Sequence, residues 1–230
     1  MNRSSNIMPE AVHIPAANIT IEGDLLVPSA ATGLVIFAHG SGSSRFSRRN
    51  RAVAEVLTEG GFATMLLDLL TREEEVIDQR TGQFRFDIAR LAERVIAAID
   101  WAGTEPALVS LPIACFGAST GAAAALTAAA LRPGRVQAVI SRGGRPDLAG
   151  EALPRVEAPT LLIVGGDDEA VIELNEHARR RMRARTQTAI VPGATHLFEE
   201  PGALEQVARL ALEWCLLYLT TGPSGSSPRR

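Results

Sequence analysis

The sequence predicts an α/β domain on a mostly parallel central sheet, with helices on both faces. Three observations predict it. Strand-like apolar runs alternate with helix-spaced segments across residues 11–219, the pattern of repeated βα units. The inner runs, such as GLVIFAHG, are apolar at consecutive positions, as strands covered on both faces must be. Finally, 230 residues with 46% hydrophobic and 21% charged content and a mean hydropathy of +0.10 supply the core of one large domain.

The elements follow in order. AVHIPAANITIEGDLLVP reads as two strands turning around Ala16–Asn18 and closed by Pro28. Residues 33–40 form a buried strand. Val53, Val56 and Leu57 give helical spacing to 48–60, and Gly60-Gly61 ends it. FATMLLDLL is the next buried strand. Ile88, Leu91, Val95, Ile96 and Ile99 place one apolar face on a helix over 87–102. A strand at 110–117 leads into an Ala-rich helix stopped at Pro133-Gly134. Strands at 136–144 and 158–166, a helix near 170–184, a short strand in TQTAIVPGA and a helix at 202–219 complete the series. The ends, 1–10 and the Gly/Ser/Pro-rich 220–230, read as flexible tails.

Composition removes several functions. All 23 basic residues are Arg, so Schiff-base chemistry and a P-loop lysine are excluded. A net charge of −3 offers no general field for nucleic acid. No apolar run approaches the roughly 20 residues that span a bilayer, and the first residues lack a secretory h-region, so the expected location is cytoplasmic. Cys115 and Cys215 read as buried reduced thiols, and the four histidines are too scattered for a metal site.

Ligands in parallel sheets bind where strands end at their carboxyl edge, so chemistry is sought there. After the strand ending at Phe116 comes Gly117-Ala118-Ser119-Thr120-Gly121, a G-x-S-x-G between a buried strand and a small-residue helix. That context demands a tight turn that holds Ser119 strained at the strand end. After Gly166 comes Asp167-Asp168; Asp168 fits G-x-x-D-x-x-V from Gly165 to Val171 and is the preferred acid, leaving Asp167 to face water or cap the next helix. After Val191, His196 sits in a turn. The chain order is nucleophile, acid, base. A serine hydroxyl needs a neighbouring imidazole to take its proton, and the imidazole needs a carboxylate to fix its tautomer.

The developing oxyanion needs two donors. The N–H of Thr120 follows the nucleophile directly. The loop His39-Gly40-Ser41-Gly42-Ser43-Ser44 supplies the second, with Ser41 N–H preferred over Gly42. His39, at a strand end before glycine, reads as a hydrogen-bonded loop anchor rather than the base. Leu70, Arg72 and Arg142 also follow strands at this edge and are the candidates for substrate binding. An arginine there would grip a substrate carboxylate in bidentate fashion; the plainer alternative, which also covers Arg45 and Arg145, is ion pairing with Glu73–Glu75 or Asp147. Phe84 and Phe86 either fold toward the site or staple the helix start at Asp87.

FAHGSGSS, FGASTGAAAAL, TLLIVGGDDEAV and VPGATHLFEEPG together resemble the α/β-hydrolase superfamily, and within it the dienelactone-hydrolase-like group, across about 18–219. The resemblance implies an α/β-hydrolase fold with Ser119 as nucleophile, Asp168 as acid and His196 as base. A serine hydrolase working through an acyl-enzyme requires no metal or cofactor, and none is expected. Dienelactone hydrolases proper carry a cysteine nucleophile where this chain has Ser119, which points away from dienelactone and toward a carboxylesterase. Residues 142–158 are too few for a helical cap, so an open pocket taking small or short-acyl esters is expected. The alternatives are a relative that only binds a small molecule, and a hydrolase of thioester, lactone, polyester or peptide bonds. The expected partner is the ester substrate, with no nucleic acid or membrane. The last helix is apolar over more than one face, which fits full burial in a monomer or a contact in a homodimer.

Overall fold

A computed structural model of the chain describes residues 8–220. Strands β1 (Glu10–Ala16), β2 (Ile19–Leu26), β3 (Leu34–Ala38), β4 (Ala63–Leu67), β5 (Ile113–Ala118), β6 (Val136–Arg142), β7 (Thr160–Gly165) and β8 (Thr186–Val191) form one eight-stranded sheet. Its order is β1-β2-β4-β3-β5-β6-β7-β8. β1 and β2 pair antiparallel around a turn at Ala17, and β2 pairs antiparallel with β4; all later pairings are parallel. Helices α1 (Arg48–Glu59), α2 (Arg72–Thr81), α3 (Ile88–Ala102), α4 (Thr120–Leu131), α5 (Glu169–Arg181) and α6 (Ala203–Leu219) connect the strands or close the chain. The tails expected at 1–10 and 220–230 lie mostly outside the described residues, which include 8–10 and 220 of them, and β1 already begins at Glu10.

The sheet divides two cores. On one face Ile14, Ile36, Met65, Val95, Cys115 and Leu126 pack with α3 and α4. On the other, Phe37, Leu57, Phe116, Ile163 and Trp214 pack with α1 and α6. β3, β5 and β7 are buried at every position because both faces are covered. α4 is buried nearly all round, which its alanines permit by letting the helix lie close to the sheet. α6 buries Val207, Ala211, Trp214 and Cys215 while Leu216 is 44% exposed, so the helix has one covered face rather than full burial. Desolvation pushes the thiols of Cys115 and Cys215 up to about 12, and both are free and buried.

Two elements depart from the expectations. α2 occupies a stretch for which the sequence predicts no element. Its helix carries little apolar periodicity, only Val76 and Ile77, and both are exposed; it is held instead by its ends. Thr71 Oγ1 accepts the Glu74 N–H at 3.2 Å and Glu74 Oε2 accepts the Thr71 N–H at 2.9 Å, a capping box, while Gly82 closes the helix at φ +68°. Between β6 and β7, Pro146–Arg155 forms 3₁₀ turns kinked at Gly150 and packed against α4 and α5. The strand-to-strand connection therefore hugs the body and no cap stands over the sheet edge.

Candidate active site

β5 delivers Ser119 at the carboxyl edge of the sheet with φ 50° and ψ −122°. This left-handed conformation in a residue with a Cβ costs on the order of 1–3 kcal/mol and persists only where packing enforces it. The enforcement is visible on both sides of the serine. A Cβ on Gly117 would lie 2.3 Å from Ala122 Cα, and one on Gly121 would lie 2.3 Å from Ala38 O. Strand, turn and helix are thus closer than any larger residue allows. Ser119 N–H donates to Arg142 O at 3.3 Å, and Ser119 O accepts from Arg145 N–H at 3.0 Å, tying the turn to the β6 end.

Asp168 and His196 are brought together: His196 Nδ1 lies 2.7 Å from Asp168 Oδ2. Asp167 is exposed, and its backbone N–H donates to Ala194 O at 3.0 Å. His196 and Ser119 line one cavity of about 230 Å³, together with Gly40, Ser41, Arg49, Asn50 and Arg142. The carboxylate at Nδ1 leaves Nε2 as the imidazole nitrogen available to the cavity.

Thr120 is the first residue of α4, so its N–H precedes the intrahelical ladder and carries the positive end of the helix dipole. Ser41 stands beside it, with Ser41 Oγ 3.1 Å from Thr120 Oγ1 and donating to Arg85 O at 3.4 Å. His39 behaves as the expected anchor. Its Nε2 accepts the Leu69 N–H at 3.0 Å, so its proton sits on Nδ1 and donates to Gly40 O at 2.8 Å. Burial pushes the His39 pKa down, which keeps this neutral tautomer.

The loop leaving that anchor is clamped from outside. The Arg45 guanidinium pairs with Glu22, Asp24 and Asp68 across β2 and β4, and Arg45 N–H donates to Asp68 Oδ1 at 2.7 Å. Arg145 pairs with Asp147 through two bonds of 2.9 and 2.8 Å. For these two arginines the ion-pair alternative is the observed one.

Arg142 differs. It is 6% exposed, its NH2 donates to Asn50 Oδ1 at 3.2 Å, and its Nε is buried with no hydrogen-bond partner. No carboxylate lies within ion-pair distance of it among the described residues. Burial first, and the like charge of Arg49 second, push its pKa down to about 10, so it stays protonated at neutral pH.

Leu70 and Arg72 do not reach the Ser119 cavity. They line a neighbouring groove of about 1200 Å³ with His39, Arg45, Phe46 and Asp68. The cause is α2, which starts at Arg72 and carries this side chain outward as the first helical residue. The groove and the cavity meet at Ser43 and Ser47, which line both. Phe84 lies beneath Arg90, 4.6 Å from its guanidinium carbon, and Phe86 is 59% exposed; neither lines the cavity. Sequence reasoning missed Arg49, Asn50, Ser43 and Ser47. Only the N-cap serine of α1 carries a local signal, Ser47 Oγ accepting the Asn50 N–H at 3.3 Å.

With this geometry in place, comparison with known proteins is decisive. The sequence model of the dienelactone hydrolase family matches residues 21–215. The chain belongs to that family. Its fold superposes on a dienelactone hydrolase from Anabaena variabilis with a TM-score of 0.91 at 56% identity, covering 93% of this chain and 99% of that one. Est1E from Butyrivibrio proteoclasticus, solved with ferulic acid bound, shares the fold at a TM-score of 0.78 and 20% identity, over 92% of this chain and 100% of that one. A Mycobacterium tuberculosis (H37Rv) protein named "Putative phosphoribosyl transferase" is 57% identical over 217 residues, which is 94% of this chain but 48% of that protein. The chain thus spans about half the length of the curated relatives it matches. As a dienelactone hydrolase family member it presents a serine in its strand-to-helix turn, and Cys115 lies buried inside β5. Among the described residues no helix is long and apolar enough to cross a membrane, and no group of three or more His, Cys, Asp or Glu could hold a metal ion.

Proposed function

We propose that this chain is a serine hydrolase of carboxylic esters working through an acyl-enzyme. The observation that carries the reading is the 2.7 Å contact of Asp168 with His196, in a cavity His196 shares with the strained Ser119. In the proposed cycle His196 Nε2 takes the Ser119 proton as Oγ attacks the ester carbonyl. The tetrahedral oxyanion is held by the N–H groups of Thr120 and Ser41. Its collapse breaks the bond to the alcohol, and His196 returns the proton to the leaving oxygen. Water, activated the same way, then releases the acid and restores Ser119. Asp168 holds the tautomer and balances the imidazolium.

Small or short-acyl esters fit best, because the cavity at the serine is small and borders the larger groove at Ser43 and Ser47. The relatives named for phosphoribosyl transfer are about twice as long, this chain matches only about half of them, and residues 21–215 of this chain match the dienelactone hydrolase family. The reading therefore assigns ester hydrolysis, not phosphoribosyl transfer, to this chain. A fluorophosphonate probe should label Ser119, and Ser119→Ala should lose hydrolysis of p-nitrophenyl acetate by on the order of 10⁴-fold while keeping its fold. Turnover retained in that variant rejects the mechanism. A wild-type protein that takes no label favours a relative that only binds its ligand.

A further inference from the structure

The first turn of α1 runs against its own helix dipole. An α-helix N-terminus carries about half a positive charge and favours acidic residues, yet α1 opens Arg48-Arg49-Asn50-Arg51 with no acid in its first turn. Arg51 is neutralised by Asp24 at 2.6 Å and Arg49 by Glu199 at 2.9 Å. Arg48 is exposed, and no ion pair to it is found among the described residues. The buried guanidinium of Arg142 then meets this same helix end through Asn50, with its Nε unsatisfied. Arg49 Nε is likewise buried without a partner. The cavity that Arg49 and Arg142 share with Ser119 is lined by no Asp or Glu at all. Arg142, the buried one of the two, has the Phe198 ring 5.8 Å from its guanidinium but no carboxylate partner among the described residues. A buried cation without a counter-charge is costly, so the complement of this cavity is an anion.

We propose that the Ser119 cavity contains a phosphate-recognition subsite at the N-terminus of α1, built from Arg142, Arg49, Ser43 and Ser47, and that the ester cleaved there carries a phosphate monoester. The substrate assignment rests on the ester-hydrolase reading; the subsite itself does not. Donors converge from separate elements: Arg142 from the end of β6, Arg49 and the leading N–H groups from α1, and Ser43 from the loop after β3. The N–H groups of Arg48 and Arg49 precede the first intrahelical bond, Arg51 N–H to Ser47 O at 2.9 Å. The Ser47 hydroxyl spends an acceptor lone pair on the Asn50 N–H, which leaves its proton to donate. Arg142 carries the one guanidinium here without a carboxylate partner among the described residues, since Arg49 is paired with Glu199. A planar carboxylate would meet that single fork, whereas a tetrahedral anion presents oxygens to the fork, the helix N–H groups and the hydroxyls together. The neighbouring groove has the opposite character. Glu22, Asp68, Glu73 and Glu75 line it, and Arg45 is already engaged by the first two. The groove repels a phosphate and receives the uncharged or cationic remainder of the substrate, so the substrate has one orientation.

Calorimetric titration of the full chain with inorganic phosphate at low ionic strength tests the subsite. One phosphate should bind per chain and should inhibit p-nitrophenyl acetate hydrolysis competitively. Arg142→Gln should weaken phosphate binding by about tenfold or more, the usual weight of a charge-assisted bond. Arg49→Gln, at a half-buried position that leaves the core intact, should weaken it similarly. Ser119→Ala should bind phosphate as the wild type does, so a failure of the ester mechanism leaves this measurement standing. Absence of binding at phosphate concentrations on the order of tens of millimolar overturns the subsite. Binding that both arginine variants retain unchanged overturns it as well. Succinate binding as tightly as phosphate overturns the phosphate assignment in favour of a carboxylate.

Discussion

Ser41 Oγ lies 3.1 Å from Thr120 Oγ1, although the two residues come from different strand-to-helix connections. The proposed oxyanion donors are the backbone N–H groups of this same pair. Their side chains hold the two loops in register, so that the N–H groups are fixed before any ester arrives. Preorganisation of this kind lets backbone dipoles act without reorganising during the reaction.

Removing the donor and removing the brace should therefore differ. Ser41→Pro deletes the N–H and should lower kcat by about 10²–10³-fold. Ser41→Ala deletes only the hydroxyl contacts to Thr120 and Arg85 and should lower kcat by less than about tenfold. Steady-state kinetics on p-nitrophenyl acetate, with circular dichroism to verify folding, checks both. Equal losses would mean that the Ser41 N–H is not a donor.

Adjacent aspartates should separate cleanly. Asp168→Asn keeps the shape but offers Nδ1 of His196 the wrong partner, and kcat should fall by about 10³–10⁴-fold. Asp167→Asn, at an exposed position, should stay within about twofold. Comparable losses in both variants would unseat Asp168 as the orienting acid.

His39 predicts a pH effect on stability. Burial lowers its pKa in the folded state from 6.5. Between that lowered value and 6.5 the unfolded chain binds a proton that the folded chain refuses, so unfolding gains as pH falls. The contribution is fully present above pH 6.5 and is lost as the pH drops below it toward the folded-state value. Thermal unfolding of the wild type should fall more steeply from pH 7 to pH 5 than that of His39→Gln. His39→Leu, which has no acceptor to offer, should in addition lose about 1–3 kcal/mol at pH 7 because the Leu69 N–H is left unpaired. Parallel pH profiles would refute the neutral buried histidine.

Gly121→Ala should be among the most damaging single-methyl changes available in this chain. The added Cβ meets backbone oxygens, Ala38 O at 2.3 Å and His39 O at 2.5 Å, and neither can swing aside as a side chain could. A loss of about 3 kcal/mol or more is expected, read from the urea midpoint. A midpoint unchanged from wild type would show that α4 does not sit as close to β3 as described.

The sequence by itself determined the alternation of buried strands and amphipathic helices, because periodicity and unbroken apolar runs are local properties. It also determined the positions of Ser119, Asp168 and His196, because the parallel topology forces chemistry to the strand ends and each lies just past one. It carried the capping box of α2 at Thr71 and Glu74, a cue that apolar spacing alone passed over, since Val76 and Ile77 bury so little. Tertiary structure decided which arginines are neutralised. Arg145 finds its carboxylate two residues on, at Asp147, but Arg45 finds Glu22, Asp24 and Asp68 on segments the fold places beside it, while Arg142, equally charged in the sequence, lines a cavity with Arg49 and Asn50 from a helix far away in the chain. It decided too that Leu70 and Arg72 face a different groove from the serine. The reason is physical: a side chain's charge and length are written locally, but the dielectric around it and the groups it meets are set by whichever distant segments pack against it.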